Sequence, residues 1–148
     1  MIDIDDTIVD RFENVVYGFE YMRDLYMECD AMKFPIHIVT ARPRSEKISV
    51  LEMLRARGFA IRKDDHLHML PTELWGKGNK YIIDFKWKVF KYITTVHHGC
   101  VARFGDQLWD VAHYDSLDND LRHIDSNDCY VFCDPRLQGT ISCKLPGK

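Results

Sequence analysis

The sequence MIDIDDT, residues 1–7, consists of a short apolar segment over residues 1–4 that runs into a group of carboxylates. Similar apolar segments followed by polar side chains return at residues 36–40 and 101–106. Stretches with apolar residues at every third or fourth position lie between them, and the alternation predicts the element order β-α-β-α-β-α-β-β. This order favours an α/β fold with a mainly parallel sheet that helices cover on both faces. Ligands of such sheets bind beyond the carboxyl ends of the strands, so the polar residues there are the candidates for chemistry.

These patterns predict three amphipathic helices and five strands. The apolar helix faces comprise Val15, Phe19, Met22 and Tyr26 in the first helix, Ile48, Leu51 and Leu54 in the second, and Phe85, Val89, Tyr92 and Val96 in the third. The strands are expected at residues 1–4, 34–39, 66–70, 101–104 and 129–133. Pro43 suits the first turn of the second helix, because the N–H that it lacks would be unpaired there.

Length and charge indicate one globular domain, residues 1–148, with a net charge of -3 that disfavours a general attraction to nucleic acid or anionic membranes. No apolar run approaches the roughly 20 residues of a membrane span, so no membrane partner is expected. The five cysteines are an odd number without a secretory signal, which predicts reduced thiols in an intracellular, cytoplasmic protein. Cys129 and Cys133 lack a second pair at ligand spacing and are interpreted as small apolar strand residues.

Asp3 and Asp5 end the first apolar segment. In an extended or just-turning segment, residues i and i+2 point the same way, so both carboxylates can address one reactive centre. Two close carboxylates repel each other unless a cation or a shared proton compensates, so the pair invites a metal ion. The motif Asp-x-Asp-x-Thr is weak evidence by itself, because an acidic turn that closes a strand has the same appearance.

Thr40 ends the second strand and is followed by the start of a helix. Its hydroxyl and the next free backbone N–H groups can hold phosphate oxygens. The alternative is that Thr40 only ends the strand and caps a turn.

A lysine near the start of the third helix would balance the charges of a carboxylate nucleophile and a phosphate. Lys86 is the first choice because it lies beside the predicted core residue Phe85, and Lys80 is the second. Surface ion pairs explain most lysines in this stretch equally well. The tryptophans Trp75 and Trp87 among them would suit a nucleic-acid platform, but the acidic net charge disfavours that interpretation.

Gly105, Asp106 and Asp110 end the fourth strand. Gly105 allows a close backbone approach to a ligand. Asp106 and Asp110 would share a face on a helical turn and supply a hard, oxygen-rich cation site. The alternative is that Asp106 caps the following helix and Asp110 is an acid of its first turn.

Polar groups at three strand ends and a lysine near the start of the third helix, in this order, resemble the haloacid dehalogenase (HAD) superfamily. The motifs of that superfamily are an Asp-x-Asp pair after an apolar strand, a Thr or Ser that ends the next strand, a Lys, and a Gly-Asp-x-x-x-Asp. The matching residues are Asp3-Ile4-Asp5-Asp6-Thr7, Thr40, Lys86 and Gly105-Asp106-Gln107-Leu108-Trp109-Asp110. The resemblance runs from residue 1 to about residue 134 and is specific for the superfamily, not for a substrate.

The resemblance implies a three-layer Rossmann-like fold and a magnesium-dependent phosphatase that forms an aspartyl-phosphate. It implies Asp3 as the nucleophile and Asp5 as the acid and then the base. It further implies Mg²⁺ held by Asp3, the Asp5 carbonyl and Asp106, with Asp110 on the metal or its waters, and phosphoryl oxygens held by Thr40, the Ala41 N–H and Lys86. Magnesium is the expected ion because these sites offer oxygen and neither sulfur nor imidazole.

The gaps from Thr7 to Thr40 and from Thr40 to Lys86 are too short for a folded cap domain, which predicts a capless, open site. Such a site would admit a nucleotide, a nucleic-acid end or a phosphoprotein, so nucleic acid is expected only as a substrate. A catalytically inactive HAD-fold binding module and a phosphotransferase are the alternatives. Asp6 and Arg103 depart from the family, which often has Gly and an apolar residue at those positions.

The histidines are the remaining candidate ligands of the chain. Two pairs, His66/His68 and His97/His98, have no matched third ligand in the sequence. They are interpreted as surface or core residues.

Overall fold

A computed structural model of the chain describes residues 1–5, 7–10, 19–61, 66–98, 102–105, 130–132 and 141–144. Helices and strands alternate along the first three quarters of these residues, so the fold is mixed α/β. The elements are α1 (Phe19–Ala31), β1 (Ile38–Pro43), a 3-10 turn (Arg44–Glu46), α2 (Lys47–Ala56), β2 (Leu67–Leu70), a second 3-10 turn (Thr72–Leu74), α3 (Asn79–Val96), β3 (Ala102–Gly105), β4 (Tyr130–Phe132) and β5 (Ile141–Lys144).

The strand pairings are mainly parallel. β1 pairs with β2 and β3 pairs with β5 in parallel, whereas β4 pairs with β5 antiparallel. Ile2 lies between the two groups, in parallel bridges to Ile38 on one side and Phe104 on the other. Its N–H donates to the His37 carbonyl at 2.9 Å, and the N–H of Asp3 donates to the Phe104 carbonyl at 3.0 Å. The carboxyl ends of the first segment, β1 and β3 therefore meet at one edge.

Two clusters of apolar side chains pack against β1. Ile38 belongs to the larger cluster, which includes α1 and α2, and Phe59 contacts the rings of Phe19 and Tyr26 there at centroid distances of 6.0 and 4.9 Å. The next residue, Val39, belongs to a smaller cluster with Val89 and Ile93 of α3. Successive strand residues point to opposite faces, so α3 packs on the other side of β1 from α1 and α2.

The predicted bounds of the second strand and second helix were wrong. The strand begins at Ile38, not at residue 34, and continues through Pro43, which has an extended backbone with φ -69° and ψ 147°. Pro43 was expected inside the helix, but α2 begins only at Lys47. The φ angle of proline suits an extended strand end as well as a first helical turn, and its lack of an N–H favours the point where strand pairing stops.

The buried faces of α2 and α3 also differ from the prediction. Ile48 is 75% exposed, and α2 buries Val50 and Met53 together with Leu54, which was predicted. Tyr92 and Val96 are about half exposed, and α3 buries Lys86, Val89, Phe90 and Ile93. The observed face of α3 has the i, i+3, i+4, i+7 spacing of a helix face. A search for apolar periodicity passes over it because one of its four positions is a lysine.

Other elements agree more closely. The strands near residues 66–70, 101–104 and 129–133 are confirmed as β2, β3 and β4. The first helix is confirmed through Phe19, Met22 and Tyr26, all buried, whereas Val15 lies outside the described residues. Cys129 and Cys133 lie outside them as well. β5, which pairs with both β3 and β4, was not predicted, because ISCK is short and half polar.

Candidate active site

Asp3 and Lys86 form a buried ion pair at the carboxyl edge of the sheet. The Lys86 ammonium nitrogen lies 3.0 Å from Oδ1 of Asp3, and the two side chains are only 3% and 5% exposed. The contact has the distance of an ion pair without the alignment of a hydrogen bond to that oxygen. Two buried opposite charges are strongly interdependent, because removal of either leaves the other desolvated and uncompensated. The sequence-predicted nucleophile and the predicted lysine are therefore brought together.

Lys86 reaches Asp3 from the middle of α3, not from its start. The helix begins at Asn79, after Gly78 with a φ of 106°, a conformation that favours glycine. Lys86 thus lies about two turns into the helix, on the face that carries Val89. Lys80 is exposed in the first turn. The choice of Lys86 over Lys80 agrees with this geometry, although the predicted start of the helix was six residues too late.

Asp5 takes part in a second polar network with β1. The Thr40 hydroxyl donates to Oδ2 of Asp5 at 3.3 Å. Nε and Nη2 of Arg42 both lie 2.9 Å from Oδ1 of Asp5. The N–H of Arg42 donates to the Thr40 hydroxyl at 3.1 Å, and Thr40 is fully buried. Asp5 and Thr40 are thus in direct contact, as the predicted site requires, and Arg42 adds a cation that the sequence analysis missed.

An irregularity in β1 places Arg42 in this network. The pairing of β1 with β2 passes from Thr40 opposite Met69 directly to Pro43 opposite Leu70, so Ala41 and Arg42 are extra residues on β1. Extra residues of this kind redirect side chains and often lie next to active sites. The sequence contains one signal for Arg42, because residues two apart on an extended strand share a side and Arg42 follows Thr40 by two.

A tight turn separates the environments of the two first-segment acids. The Ile4 carbonyl accepts hydrogen bonds from the N–H groups of Thr7, Ile8 and Val9 at 3.2, 2.8 and 3.2 Å. The chain therefore turns immediately after the first segment. The side chain of Asp5 is 39% exposed, whereas that of Asp3 is 5% exposed. Asp3 thus lies at the base of the site and Asp5 at its opening.

The remaining predicted metal ligands, Asp106 and Asp110, lie outside the described residues, as does Asp6. Gly105, which directly precedes Asp106, is the last residue of β3. Among the residues that the structure describes, no group of three or more His, Cys, Asp or Glu side chains is arranged to hold a metal ion. Asp3 and Asp5 offer the hard carboxylate oxygens that suit Mg²⁺.

A cavity of 480 Å³ lies beside α3. It combines two cations with apolar and aromatic side chains, and its lining residues are Arg44, Lys47, Leu67, His68, Met69, Phe85, Val89 and Tyr92. Phe85 adjoins the site lysine in sequence. Arg103, whose role the sequence left open, is fully buried and stacks on α3, with its guanidinium carbon 4.2 Å from the centroid of the Phe90 ring.

Four histidines converge at the opposite edge of the sheet, a group that the sequence analysis did not recognise. Nδ1 of His37 lies 2.9 Å from Nε2 of His68, and Nε2 of His37 lies 2.8 Å from Nε2 of His97. The ring of His66 is 4.4 Å from that of His37. The interpretation of the two predicted pairs as surface or core residues agrees with their burial, since His66, His68 and His97 are half-buried and His98 is exposed. Their contacts with His37 could not be predicted, because residues 31 and 60 positions apart come together only in the fold.

No helix in the described part of the chain is long and apolar enough to cross a membrane. Comparison with known proteins adds no relative, since no family model, curated protein or solved structure matches the chain.

Proposed function

We propose that this chain is a magnesium-dependent phosphomonoester hydrolase of the HAD superfamily, with a three-layer Rossmann-like fold and no cap domain. The observation that carries the proposal is the buried ion pair of Asp3 and Lys86, beside the contact of Asp5 with Thr40. These residues come from three separate segments and meet at the carboxyl edge of the sheet, where ligands of α/β folds bind.

The strand pairings support the proposed fold. The neighbour relations give the order β2, β1, the segment around Ile2, β3, β5 and β4, with the acid-bearing segment in the interior of the sheet. Ile38 and Val39 contribute to clusters on opposite faces of β1, as a three-layer arrangement requires. The segment from Thr40 to Lys86 contains α2, β2 and two 3-10 turns in its described part, which leaves little chain for a cap.

In the first chemical step, a carboxylate oxygen of Asp3 attacks phosphorus and the bond to the leaving oxygen breaks. Asp5, in its protonated form, gives its proton to that oxygen, and the product alcohol departs. The Lys86 ammonium lies close enough to Asp3 to hold the attacking carboxylate in place and to offset charge on the phosphoryl group. This step leaves an aspartyl-phosphate on Asp3.

In the second step, Asp5 takes a proton from water as the water oxygen attacks phosphorus, and the carboxylate of Asp3 is released with inorganic phosphate. The Thr40 hydroxyl and the Ala41 N–H bind phosphoryl oxygens. Arg42 now holds Asp5 at 2.9 Å, and its guanidinium is positioned to exchange that carboxylate for a phosphoryl oxygen when substrate binds. Such an exchange would release Asp5 for proton transfer.

Mg²⁺ fits the type of donor at this edge, because Asp3 and Asp5 present oxygen and no sulfur or imidazole. In the proposed enzyme, Asp3, the Asp5 carbonyl and Asp106 would hold the ion and Asp110 would bind it or its waters. The ion would supply positive charge to the phosphoryl group. An open edge favours large substrates, so a nucleotide, a nucleic-acid end or a phosphoprotein is the proposed substrate class.

A two-part experiment tests the proposal. Phosphate release is measured on a panel of nucleotides, sugar phosphates, 3′-phosphorylated oligonucleotides and phosphopeptides, with Mg²⁺ and with excess chelator. Rapid quenching with a radiolabelled substrate then tests for a protein-bound phosphate that hydroxylamine removes and that Asp3→Asn lacks. Label on Asp3 and Mg²⁺-dependent release would support the proposal. Absence of both from a folded, metal-supplied protein would favour the inactive binding module, and transfer of label to an added alcohol would indicate a phosphotransferase.

A further inference from the structure

The four-histidine cluster joins three elements at the edge of the sheet opposite the candidate active site. His37 directly precedes β1, His66 and His68 belong to the β2 segment, and His97 follows the last residue of α3. His37 is 3% exposed and contacts another imidazole through each of its ring nitrogens. A neutral imidazole has one N–H donor and one acceptor nitrogen, so three neutral rings satisfy both contacts in a chain from His68 through His37 to His97.

Protonation disturbs this arrangement. Burial and the neighbouring histidines lower the pKa of His37 from 6.5 to about 3, because charge on the central ring would be desolvated and would face further imidazoles. A second proton on the cluster would place like charges within hydrogen-bonding distance. The structure therefore accommodates the cluster best in its neutral form.

The last turn of α3 contacts the sheet partly through His97. Tyr92 and Val96 are about half exposed, Thr95 is exposed, and Ile93 is the one buried side chain among residues 92–96. His97, whose N–H donates to the Ile93 carbonyl at 3.0 Å, supplies the polar contact with the sheet. In the described part of the chain, this helix end buries one apolar side chain, and segments with few buried apolar contacts open most readily.

We propose that the histidine cluster is a proton-sensitive latch, which holds the carboxyl-terminal end of α3 against β1 and β2 while its imidazoles are neutral and releases that end when they are protonated. The latch does not depend on the proposed phosphatase activity. It does share elements with that site, since His37 lies three residues before Thr40 on the same strand segment and α3 also carries Lys86.

The charged and titratable groups around the cluster are consistent with a response to protons. His37 faces the rings of His66 and His68 from the β2 segment and the ring of His97 from the end of α3. The ring of Tyr92, also on α3, lies 6.0 Å from that of His68. The amino group of Met1 adds positive charge that disfavours protonation of His37. Arg44 and Lys47 line the same cavity as His68 and add further positive charge there.

Amide hydrogen exchange on the full chain tests the latch directly. Protection of the amides of residues 93–97, corrected for the intrinsic pH dependence of exchange, is followed from pH 8 to pH 5. The amides of residues 50–54 in α2 serve as the internal reference. We expect protection at the end of α3 to fall by up to about tenfold per pH unit below pH 6.5 for each proton taken up, while α2 remains protected. Equal loss in both helices, or no loss in either, would overturn the proposal.

Two single-site variants complete the test. His97→Asn removes an imidazole from the cluster at a half-buried position, so the protein should fold and show low, pH-independent protection at residues 93–97. His98→Asn is the matched control, because His98 is exposed, and asparagine tolerates its positive φ of 55°. It should behave like the unmodified chain. An unchanged pH response in His97→Asn would refute the latch, as would Zn²⁺-dependent protection that chelator abolishes, which would identify a metal site instead.

Discussion

The two edges of the sheet bury polar groups in opposite ways. At the carboxyl edge, Asp3 and Lys86 are both nearly fully buried and paired at 3.0 Å. At the other edge, His37 is equally buried, but its neighbours are imidazoles and its pKa is lowered to about 3, so it stays neutral. The distance between the edges is short, because His37 and Thr40 are separated by about 10 Å of extended strand.

The difference shows what each edge can do. A buried ion pair suits the proposed chemistry on a charged ligand, since the pair already holds an anion and a cation in a region shielded from water. The imidazole cluster is neutral, but the stability of the fold around it changes with pH between about 6.5 and about 3, the pKa values of His37 in the unfolded and folded chain. Substitutions of charged residues at the carboxyl edge should therefore affect turnover and stability at any pH, whereas substitution of His37 should affect the pH dependence of stability.

The largest expected effect is on turnover in Asp3→Asn. The amide keeps the shape of the side chain but removes the anion that we propose as the nucleophile, so the turnover number should fall by roughly 10³-fold or more. Steady-state assays on the best substrate of the panel measure it. Asp24→Asn is the control, because Asp24 is 62% exposed and forms an exposed ion pair with Arg23. Undiminished turnover in Asp3→Asn would show that the ion pair of Asp3 and Lys86 has a structural role and no catalytic one.

The second prediction distinguishes the role of Asp5, at the opening of the site, from that of Asp3 at its base. Asp5→Asn leaves the nucleophile but removes the proposed proton donor, a change that typically costs 10²–10⁴-fold. The loss in single-turnover phosphorylation should be smaller for aryl phosphates, whose leaving oxygen needs less help from an acid. Equal losses for alkyl and aryl substrates would exclude Asp5 as the acid.

The sequence predicted these acids better than it predicted the elements around them. Asp3, Asp5 and Thr40 could be placed because each follows an apolar segment, and strand ends in a parallel sheet converge. The buried face of α3 could not, since Lys86 occupies a core position that apolar periodicity excludes. Its burial depends on a carboxylate 83 residues earlier in the chain, which is a tertiary contact without a local signal.

Long-range contacts explain the other failures too. β5 is short and half polar, and only its position between β3 and β4 makes it a strand. The histidine cluster needs His37, whose nearest partner in sequence, His66, is 29 positions away. Arg42 is the exception, because its spacing of two residues from Thr40 is visible in the sequence. The bulge between Thr40 and Pro43, which was not predicted, then places its side chain beside Asp5.

The third prediction concerns stability at the charged edge. Lys86→Met leaves Asp3 buried without its cation and should lower the free energy of unfolding by about 3–5 kcal/mol. Lys88→Met, at an exposed position of the same helix, should change it by less than about 0.5 kcal/mol. Denaturant unfolding at pH 7.5 measures both.

A double variant sharpens this result. Asp3→Asn combined with Lys86→Met removes both charges, so it should recover part of the stability that Lys86→Met loses. If the double variant is as unstable as the sum of the two single variants, the pair is not energetically coupled and the contrast between the edges fails.

The fourth effect tests Arg42. Arg42→Ala removes two of the contacts that hold Asp5, and a cation from the opening of the site. We expect kcat/KM to fall by roughly 10- to 100-fold, as for the loss of a charge-assisted contact to an anion. Arg55→Ala, at an exposed position of α2, is the control. An unchanged kcat/KM would show that Arg42 only holds Asp5 in the absence of substrate and does not bind the phosphoryl group.

The smallest predicted effect is the pH dependence of global stability, and it belongs to the neutral edge. His37 has an ordinary pKa of 6.5 in the unfolded chain and a pKa of about 3 in the folded protein. Between these values the unfolded chain binds more protons, so stability is complete above pH 6.5 and falls as the pH decreases toward 3. From pH 8 to pH 5 the free energy of unfolding should fall by about 2 kcal/mol from this group. The same figure holds for any folded-state pKa well below 5. His37→Gln should be less stable at pH 8 but lack this decline. Parallel curves for the two proteins, measured by denaturant unfolding at half-unit pH steps, would show that His37 is not the group that links folding to protons.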